Sequence, residues 1–298
     1  MRIGYFADGP WGQNSFISLL NMKEVEIQFL CLRYDQPDQV LKKMAEKQGI
    51  PVLSHPNVNS ADFHELIRPY QMELMVSMSF NQIFGPALID APKYHAINCH
   101  AGKLPFYRGR NILNWALIND EKEFGITVHY IDAGIDTGDI IAQKTFPITD
   151  KDTYETLLDT AYRECPPLLT AAVQAIIDGT VTRKKQTEIH PVGMYCGQRR
   201  EGDENLNWKQ TSRQVFNFVR AICMPGPMAR SVVQRGNSSF LVKINQVKLV
   251  PDAPSYVGIP GQVLCKTKAG FMVKTLDSFV EIVSYQAEEN IRVGDRLK

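Results

Sequence analysis

Apolar residues along this chain fall into two alternating patterns. Short, nearly unbroken apolar runs occur at Arg2 to Phe6, Val25 to Leu32, Pro51 to Leu53, Leu74 to Met78 and Tyr94 to Cys99. Runs of that length suit strands buried on both faces. Between them lie segments with helical spacing or helix punctuation. Ala7 to Asn14 reads as a loop with a helix starting at Phe16 to Leu20. Asp38 to Gln48 is amphipathic and ends at Gly49 and Pro51. Ala61 to Arg68 closes at Pro69, Gln82 to Ile89 precedes Pro92, and Asn111 to Asn119 is again helical. This alternation predicts an α/β fold, a parallel sheet with helices on both faces.

After residue 120 the texture changes. Gly125 to Ile131 and Ile140 to Phe146 read as paired strands around a Gly/Asp loop, and Thr153 to Asp178 as one long helix interrupted at Pro166-Pro167. A polar, basic stretch from Gly179 to Asp203 marks a linker, followed by a helix at Thr211 to Ala221. Short strands are expected at Ser239 to Ile244, Gln246 to Val250, Gly261 to Leu264, Gly270 to Thr275 and Phe279 to Tyr285. Several short strands separated by turn residues suggest a small OB-like β-barrel. We set the domain limits at 1–190, a linker over 191–204, and 205–298.

Composition narrows the function classes. Lys and Arg number 33 against 32 Asp and Glu, a net charge of +1, so the basic excess of a polyanion binder is missing. The six cysteines are scattered without a CxxC pair, which argues against a zinc ribbon or a disulfide framework and fits a cytoplasmic chain. Asp8 and Gly9 interrupt the N-terminal apolar run where a signal peptide needs apolar bulk, and no run reaches the ~18 apolar residues of a spanning helix. Gly9 and Gly12 do not make a GxGxxG, and there is no GxxxxGK[ST], so neither a tightly held NAD nor a P-loop nucleotide is supported.

In an open α/β sheet, ligands gather beyond the carboxyl ends of the strands. The densest polar cluster there runs from Asn98 to Arg110. Residues two apart in a strand share a face, so Asn98 and His100 point to one site and Cys99 points away. Asp132 to Asp139 forms a Gly-rich loop whose carboxylates can reach the same place. An Asn, a His and an Asp can run acyl transfer to an amine from an activated donor. The imidazole takes a proton, the Asn amide meets the developing oxyanion, and the carboxylate orients the ring. Taken singly, each residue has a plainer reading: a structural His, turn Asp residues, a solvated basic linker. Trp115 is equally a core residue or a ligand wall.

The combination is more specific. Asn98-x-His100, Leu104-Pro105-x-Tyr107-Arg108-Gly109 and Asp136-x-Gly138, with Asn114-Trp115, Gly125-Ile126-Thr127 and Ile140-Ile141-Ala142-Gln143 at matching spacing, resemble the formyltransferases that use N10-formyltetrahydrofolate. Weaker likeness continues through Asn207-Trp208, Arg220-Ala221, Pro225-Gly226 and Pro260-Gly261. The resemblance implies a Rossmann-like catalytic domain followed by an OB-like domain, a homodimer, and no metal. It implies that Asn98 polarises the formyl oxygen, that His100 is the base or charge holder, and that Asp136 orients it; which of His100 and Asp136 first accepts the proton stays open. It places the pterin against Met78, Phe80, Gln82, Ile83, Phe84, Ile135 and Asp136.

Family members acting on methionyl-tRNA carry a basic insertion after the second strand, whereas Tyr34 to Gln39 is short and acidic here. The form Tyr107-Arg108-Gly109-Arg110-x-x-x-Asn114-Trp115 resembles the branch that formylates amino sugars on nucleotide carriers. That implies a dTDP- or UDP-linked deoxyamino sugar as acceptor, in O-antigen or lipopolysaccharide assembly, with neither nucleic acid nor membrane as partner. Trp11, Gln13, Asn14, Lys103, Tyr107, Arg110 and Trp115 are the acceptor candidates. Lys103 and Arg110 suit a diphosphate, and Arg108 is set aside as structural. The alternatives are methionyl-tRNA formylation, hydrolysis of formyltetrahydrofolate, and a non-catalytic OB module gripping single-stranded nucleic acid.

Overall fold

The computed structural model describes residues 1–298. In chain order the elements are β1 (Arg2–Ala7), α1 (Gly9–Leu20), β2 (Glu26–Leu32), α2 (Gln39–Lys47), β3 (Val52–Ser54), α3 (Ala61–Ile67), β4 (Leu74–Met78), α4 (Pro86–Ile89), β5 (Ala96–His100), β6 (Arg108–Gly109), α5 (Ile112–Ile118), β7 (Glu123–Tyr130), β8 (Ile140–Pro147), α6 (Tyr154–Ile177), β9 (Tyr195–Cys196), α7 (Ser212–Ile222), β10 (Ala229–Arg235), β11 (Ser238–Leu249), β12 (Val263–Lys266), β13 (Phe271–Lys274) and β14 (Phe279–Ala287). They form two compact units, one of Met1–Gly109, Phe124–Phe146 and Asp159–Cys196, the other of Arg110–Glu123, Pro147–Leu158 and Gly197–Lys298.

The first unit is built on a seven-stranded sheet in the order β3-β2-β1-β4-β5-β7-β8. Strands β1 to β5 pair in parallel, as their apolar runs imply, and β7 reverses direction against β5. The sheet is therefore mixed. Beneath it an aromatic cluster gathers around Phe6, whose ring lies 5.3–6.1 Å from those of Phe29, Phe63, Phe80 and Phe84.

Three sequence expectations need correction here. The stretch read as a loop to Asn14 is already helical: α1 starts at Gly9, with Asp8 extended at its N-cap and Pro10 in the first turn, where a missing N–H costs nothing. Helix α4 is only Pro86–Ile89. The residues before it stay a loop because the Gln82 side chain is used elsewhere, accepting from Val58 N at 3.0 Å and donating to His55 O at 2.8 Å. Helix α6 runs straight through Pro166-Pro167. Pro166 has no N–H to offer the carbonyl of Tyr162 one turn earlier. That carbonyl accepts instead from Asn14 Nδ2 at 3.4 Å, while Trp11 packs edge-on against the Tyr162 ring at 4.7 Å.

The second unit carries a five-stranded antiparallel sheet, β10-β11-β14-β13-β12. It curls on itself: the last residues bridge to both of its borders, Leu297 to Val233 and Arg296 to Gln262. Two expected strands, at Ser239 to Ile244 and Gln246 to Val250, are one strand, β11, with a register irregularity at Asn245. Strand β10 was not expected. It precedes β11 across a tight Gly236-Asn237 turn, with Arg235 opposite Ser238 and Gly236 at φ +57°. Helix α7 opens with a capping box between Thr211 and Gln214. Its buried Arg220 donates to Thr149 O at 2.6 Å, Asp152 O at 3.3 Å and Asn217 Oδ1 at 3.1 Å. No helix is long and apolar enough to cross a membrane.

Candidate active site

The end of β5 and the loops beyond β5 and β7 bring Asn98, His100 and Asp136 together within the first unit. His100 Nδ1 lies 3.7 Å from Asp136 Oδ2. A fourth residue, not singled out in the sequence, joins them: His129 stands opposite Asn98 in the β5–β7 register, with Nε2 3.3 Å from Asn98 Nδ2 and 3.5 Å from Asp136 Oδ1. Both rings are buried, and each is pinned by a backbone carbonyl. His100 Nε2 is 2.7 Å from Tyr107 O, and His129 Nδ1 is 2.7 Å from Tyr130 O. A carbonyl only accepts, so those nitrogens carry the protons and the opposite nitrogens, His100 Nδ1 and His129 Nε2, turn lone pairs toward Asp136 when the rings are neutral.

Asp136 sits at φ +53° in the left-handed region, which Asp tolerates better than most residues. Burial by itself would raise its pKa. The two rings in their protonated form and the Gly109 N–H, 2.8 Å from Oδ2, outweigh that and hold the carboxyl well below the usual carboxylate range. The site therefore keeps a fixed anion between two rings at neutral pH.

The loop after β5 is tied down by polar side chains. Thr127 Oγ1 donates to Gly102 O at 2.7 Å, and Gln143 Nε2 reaches Leu104 O at 2.9 Å and Thr127 Oγ1 at 2.8 Å. Gly102 passes under the His100–Tyr107 hydrogen bond, and a Cβ there would collide with both His100 Nε2 and Tyr107 O. Cys99 is buried on the opposite face, with Sγ 3.9 Å from Cys165 O, as the strand alternation implies.

The expected pterin-binding residues separate into three groups. Met78 and Phe84 belong to the core, and half-buried Phe80 packs against it, stacked on Phe84 at 5.5 Å. Gln82 holds the loop at His55 to Val58. Ile83 and Ile135 are the exposed members, at 69% and 51%, and apolar side chains left open to solvent suit one face of a flat ring system.

The acceptor candidates are also divided. Trp11, Gln13 and Asn14 lie on α1 rather than in a loop. Trp11 and Asn14 contact Tyr162, and Gln13 Nε2 donates to Asp38 Oδ2 at 2.8 Å. Tyr107 is buried, with its carbonyl committed to His100, and Lys103 packs over Gly125. Arg110 and Trp115 belong to the second unit. There, Arg110 Nη1 donates to Gln198 Oε1 at 3.2 Å and Trp115 Nε1 to Gly197 O at 3.0 Å. No group of three or more His, Cys, Asp or Glu side chains is arranged to hold a metal ion.

This geometry fits transfer of an acyl group from an activated donor, and comparison with known proteins shows the family. Residues 2–173 match the formyl transferase family and residues 200–294 its C-terminal domain, so the chain belongs to the formyl transferases. It is an enzyme that transfers the formyl group of N10-formyltetrahydrofolate. A methionyl-tRNA formyltransferase of Halothermothrix orenii is 34% identical over 271 residues, covering 86% of this chain and 84% of that protein. Two solved structures share the fold. The N-formyltransferase of Helicobacter canadensis, in complex with folinic acid and dTDP-3-aminofucose, superposes with a TM-score of 0.69 at 23% identity, covering 96% of this chain and 99% of its own. WlaRD, a sugar 3N-formyl transferase solved with dTDP and 5-N-formyl-THF, gives 0.68 at 23% identity, covering 98% and 99%.

Proposed function

We propose that the formyl acceptor is the amine of a nucleotide-linked deoxyamino sugar. The observation that carries this reading is the connection between β2 and α2. It runs only from Arg33 to Asp38 and holds one cation, which is already neutralised. Arg33 grips Asp35 through Nε and Nη2, at 2.7 and 2.6 Å, and reaches Asp8 at 3.3 Å through Nη1. The pairing holds the Asp35 carboxyl down to about 2. An acceptor stem needs several free cations to meet its phosphates, and its affinity falls steeply with salt. A sugar nucleotide needs far fewer. The overall likeness to one enzyme named a sugar 3N-formyl transferase and to an N-formyltransferase solved with dTDP-3-aminofucose supports the same choice; the curated methionyl-tRNA relative supports the other.

In this reading Asn98 holds the formyl oxygen. One of its two amide hydrogens faces His129 Nε2, which leaves the second for an oxyanion, a contact commonly worth about 3 kcal/mol in a buried site. His100 takes the amine proton at Nδ1, because Nε2–H is spent on Tyr107 O; as the new C–N bond forms the formyl C–N10 bond breaks, and the proton passes to N10 of the departing tetrahydrofolate. The resulting imidazolium lies against Asp136 at 3.7 Å. Ile83 and Ile135 flank the donor's ring, and the donor supplies a formyl group already activated for transfer. The reading includes a cytoplasmic homodimer, whose mass equilibrium sedimentation measures.

The test is a formylation assay with N10-formyltetrahydrofolate and a panel of dTDP- and UDP-linked 3-amino and 4-amino deoxysugars. Methionyl-tRNA and a no-acceptor control run beside them. Turnover confined to a sugar nucleotide supports the proposal. Turnover on tRNA overturns it in favour of methionyl-tRNA formylation, and formate release without acceptor identifies a hydrolase.

A further inference from the structure

Outside the four residues at the site's centre, one buried glutamine has its entire hydrogen-bonding capacity spent between Arg108 and the loop that carries Asp136. Gln186 is 3% exposed. Its Oε1 accepts from Arg108 Nε at 3.0 Å and Nη2 at 2.7 Å, and its Nε2 donates to Asp136 O and Gly138 O, both at 2.8 Å. A flipped amide would set N–H against the guanidinium and oxygen against two carbonyls, so the amide orientation is unambiguous. Arg108 is equally confined. It is buried, its Nη1 donates to Tyr195 Oη at 3.3 Å, its guanidinium lies over the Tyr195 ring at 5.3 Å, and a Cβ on Gly193 would collide with it. The next residue, Gly109, gives its N–H to the Asp136 carboxylate at 2.8 Å.

We propose that Gln186 is a positioning residue for formyl transfer: it fixes the 136–138 backbone, and through it the direction of the Asp136 carboxylate, with Arg108 as its clamp. The inference rests on the reading of Asp136 as a working member of the site. Asp136 is held at both ends, its carboxylate by Gly109 N and its carbonyl by Gln186. At φ +53° a residue keeps its carbonyl direction only if something grips it. Gln186 makes no hydrogen bond to His100 or Asn98, so its effect on the site passes through the backbone of Asp136 and through Arg108.

The test uses Gln186→Glu in the full chain. Glutamate keeps both bonds from Arg108 and turns an acceptor toward the two carbonyls. The expected result is a fall in kcat of about 10- to 100-fold, the size a displacement of roughly 1 Å commonly produces. Donor and acceptor KM stay unchanged, a split between kcat and KM that general loss of structure would not produce. Arg108 keeps the new carboxylate ionised, so the defect persists across neutral pH. Asp136→Asn runs in parallel. If Asp136→Asn is impaired while Gln186→Glu turns over like wild type, the positioning role is wrong. If Asp136→Asn itself turns over like wild type, the reading beneath it fails. Should Gln186→Glu not fold, Arg108→Lys retains the charge but loses the fork on Gln186, and it carries the same expectations and the same overturning result.

Discussion

Asn98 and His129 face each other directly across the antiparallel junction of β5 and β7, with Asn98 Nδ2 3.3 Å from His129 Nε2. The pairing fixes which amide hydrogen remains for a substrate oxygen. Asn98→Ala and His100→Ala should each lower turnover at least about 100-fold with folding retained. His129→Phe should lower it by about 10-fold, since Asn98 keeps its donors but loses its orientation, and should cost about 1 kcal/mol for the hydrogen bond lost by the half-buried amide. Steady-state rates and urea unfolding of the three variants check this. Wild-type kcat in His129→Phe would remove His129 from the site.

Asp136 links activity to stability through its charge. Its folded pKa is depressed, so the stabilisation from its ionised form is fully present above the unfolded-state value near ~3.9 and lost as pH falls from there toward the folded value. Asp136→Asn should therefore be less stable than wild type at pH 7, by about 2 kcal/mol. The gap should close as pH drops below about 4. Unfolding midpoints measured across that range decide it; a gap independent of pH contradicts the assignment.

Gly102→Ala reaches the chemistry without touching a substrate. The added methyl must displace either the His100 ring or the Tyr107 carbonyl. Turnover should fall about 100-fold, as expected of a ring shifted by around 1 Å. A crystal structure of the variant should show His100 Nε2 parted from Tyr107 O. Undisturbed kinetics would mean that the pinned tautomer is not needed.

Trp11 is anchored to Tyr162. Trp11→Ala should cost about 1–2 kcal/mol from the lost ring contact and raise the acceptor KM several-fold while leaving the donor KM unchanged. Equal changes in both KM values assign Trp11 to packing alone.

Arg220 concerns the second unit only. Beyond its three acceptors it lies 3.6 Å from Asp120, whose carboxyl Arg213 and Lys122 also hold below the ordinary range. Arg220→Met should destabilise by roughly 2–4 kcal/mol, because the carbonyls of Thr149 and Asp152 lose a charged donor. Calorimetry of the full chain measures this, and a loss below 0.5 kcal/mol, the size of an ordinary surface substitution, would show that the network is ornamental.

The five parallel strands were legible because an apolar run of that length has few other uses. Asn98, His100 and Asp136 were legible because they sit at strand ends with motif spacing. His129 was not: one polar residue in an apolar strand looks like any buried histidine until the β5–β7 register sets it opposite Asn98. The available signal was Thr127-x-His129, two polar residues on one face of that strand. Gln186 sits in a basic stretch that composition marks as linker, and only its four hydrogen bonds reveal it. Continuous α6 was illegible for a related reason. A proline pair reads as an interruption, and the group that meets the freed Tyr162 carbonyl, Asn14, lies 148 residues from Tyr162 in sequence. The shortness of α4 likewise depends on a distant pair of backbone groups that engage Gln82.

The final residues of the chain run along both borders of the second sheet, where Lys298 exchanges hydrogen bonds with Val232 at 2.9 Å in each direction and Leu297 N reaches Gly261 O at 2.9 Å. A sheet border left open presents a row of unpaired N–H and C=O groups on which strands of other molecules can assemble. Here a few residues at the end of the chain occupy those rows. The resistance of this unit to self-templated β-aggregation therefore depends on how firmly Asp295 to Lys298 stay docked, and fraying of that short segment would bare two sticky borders at once.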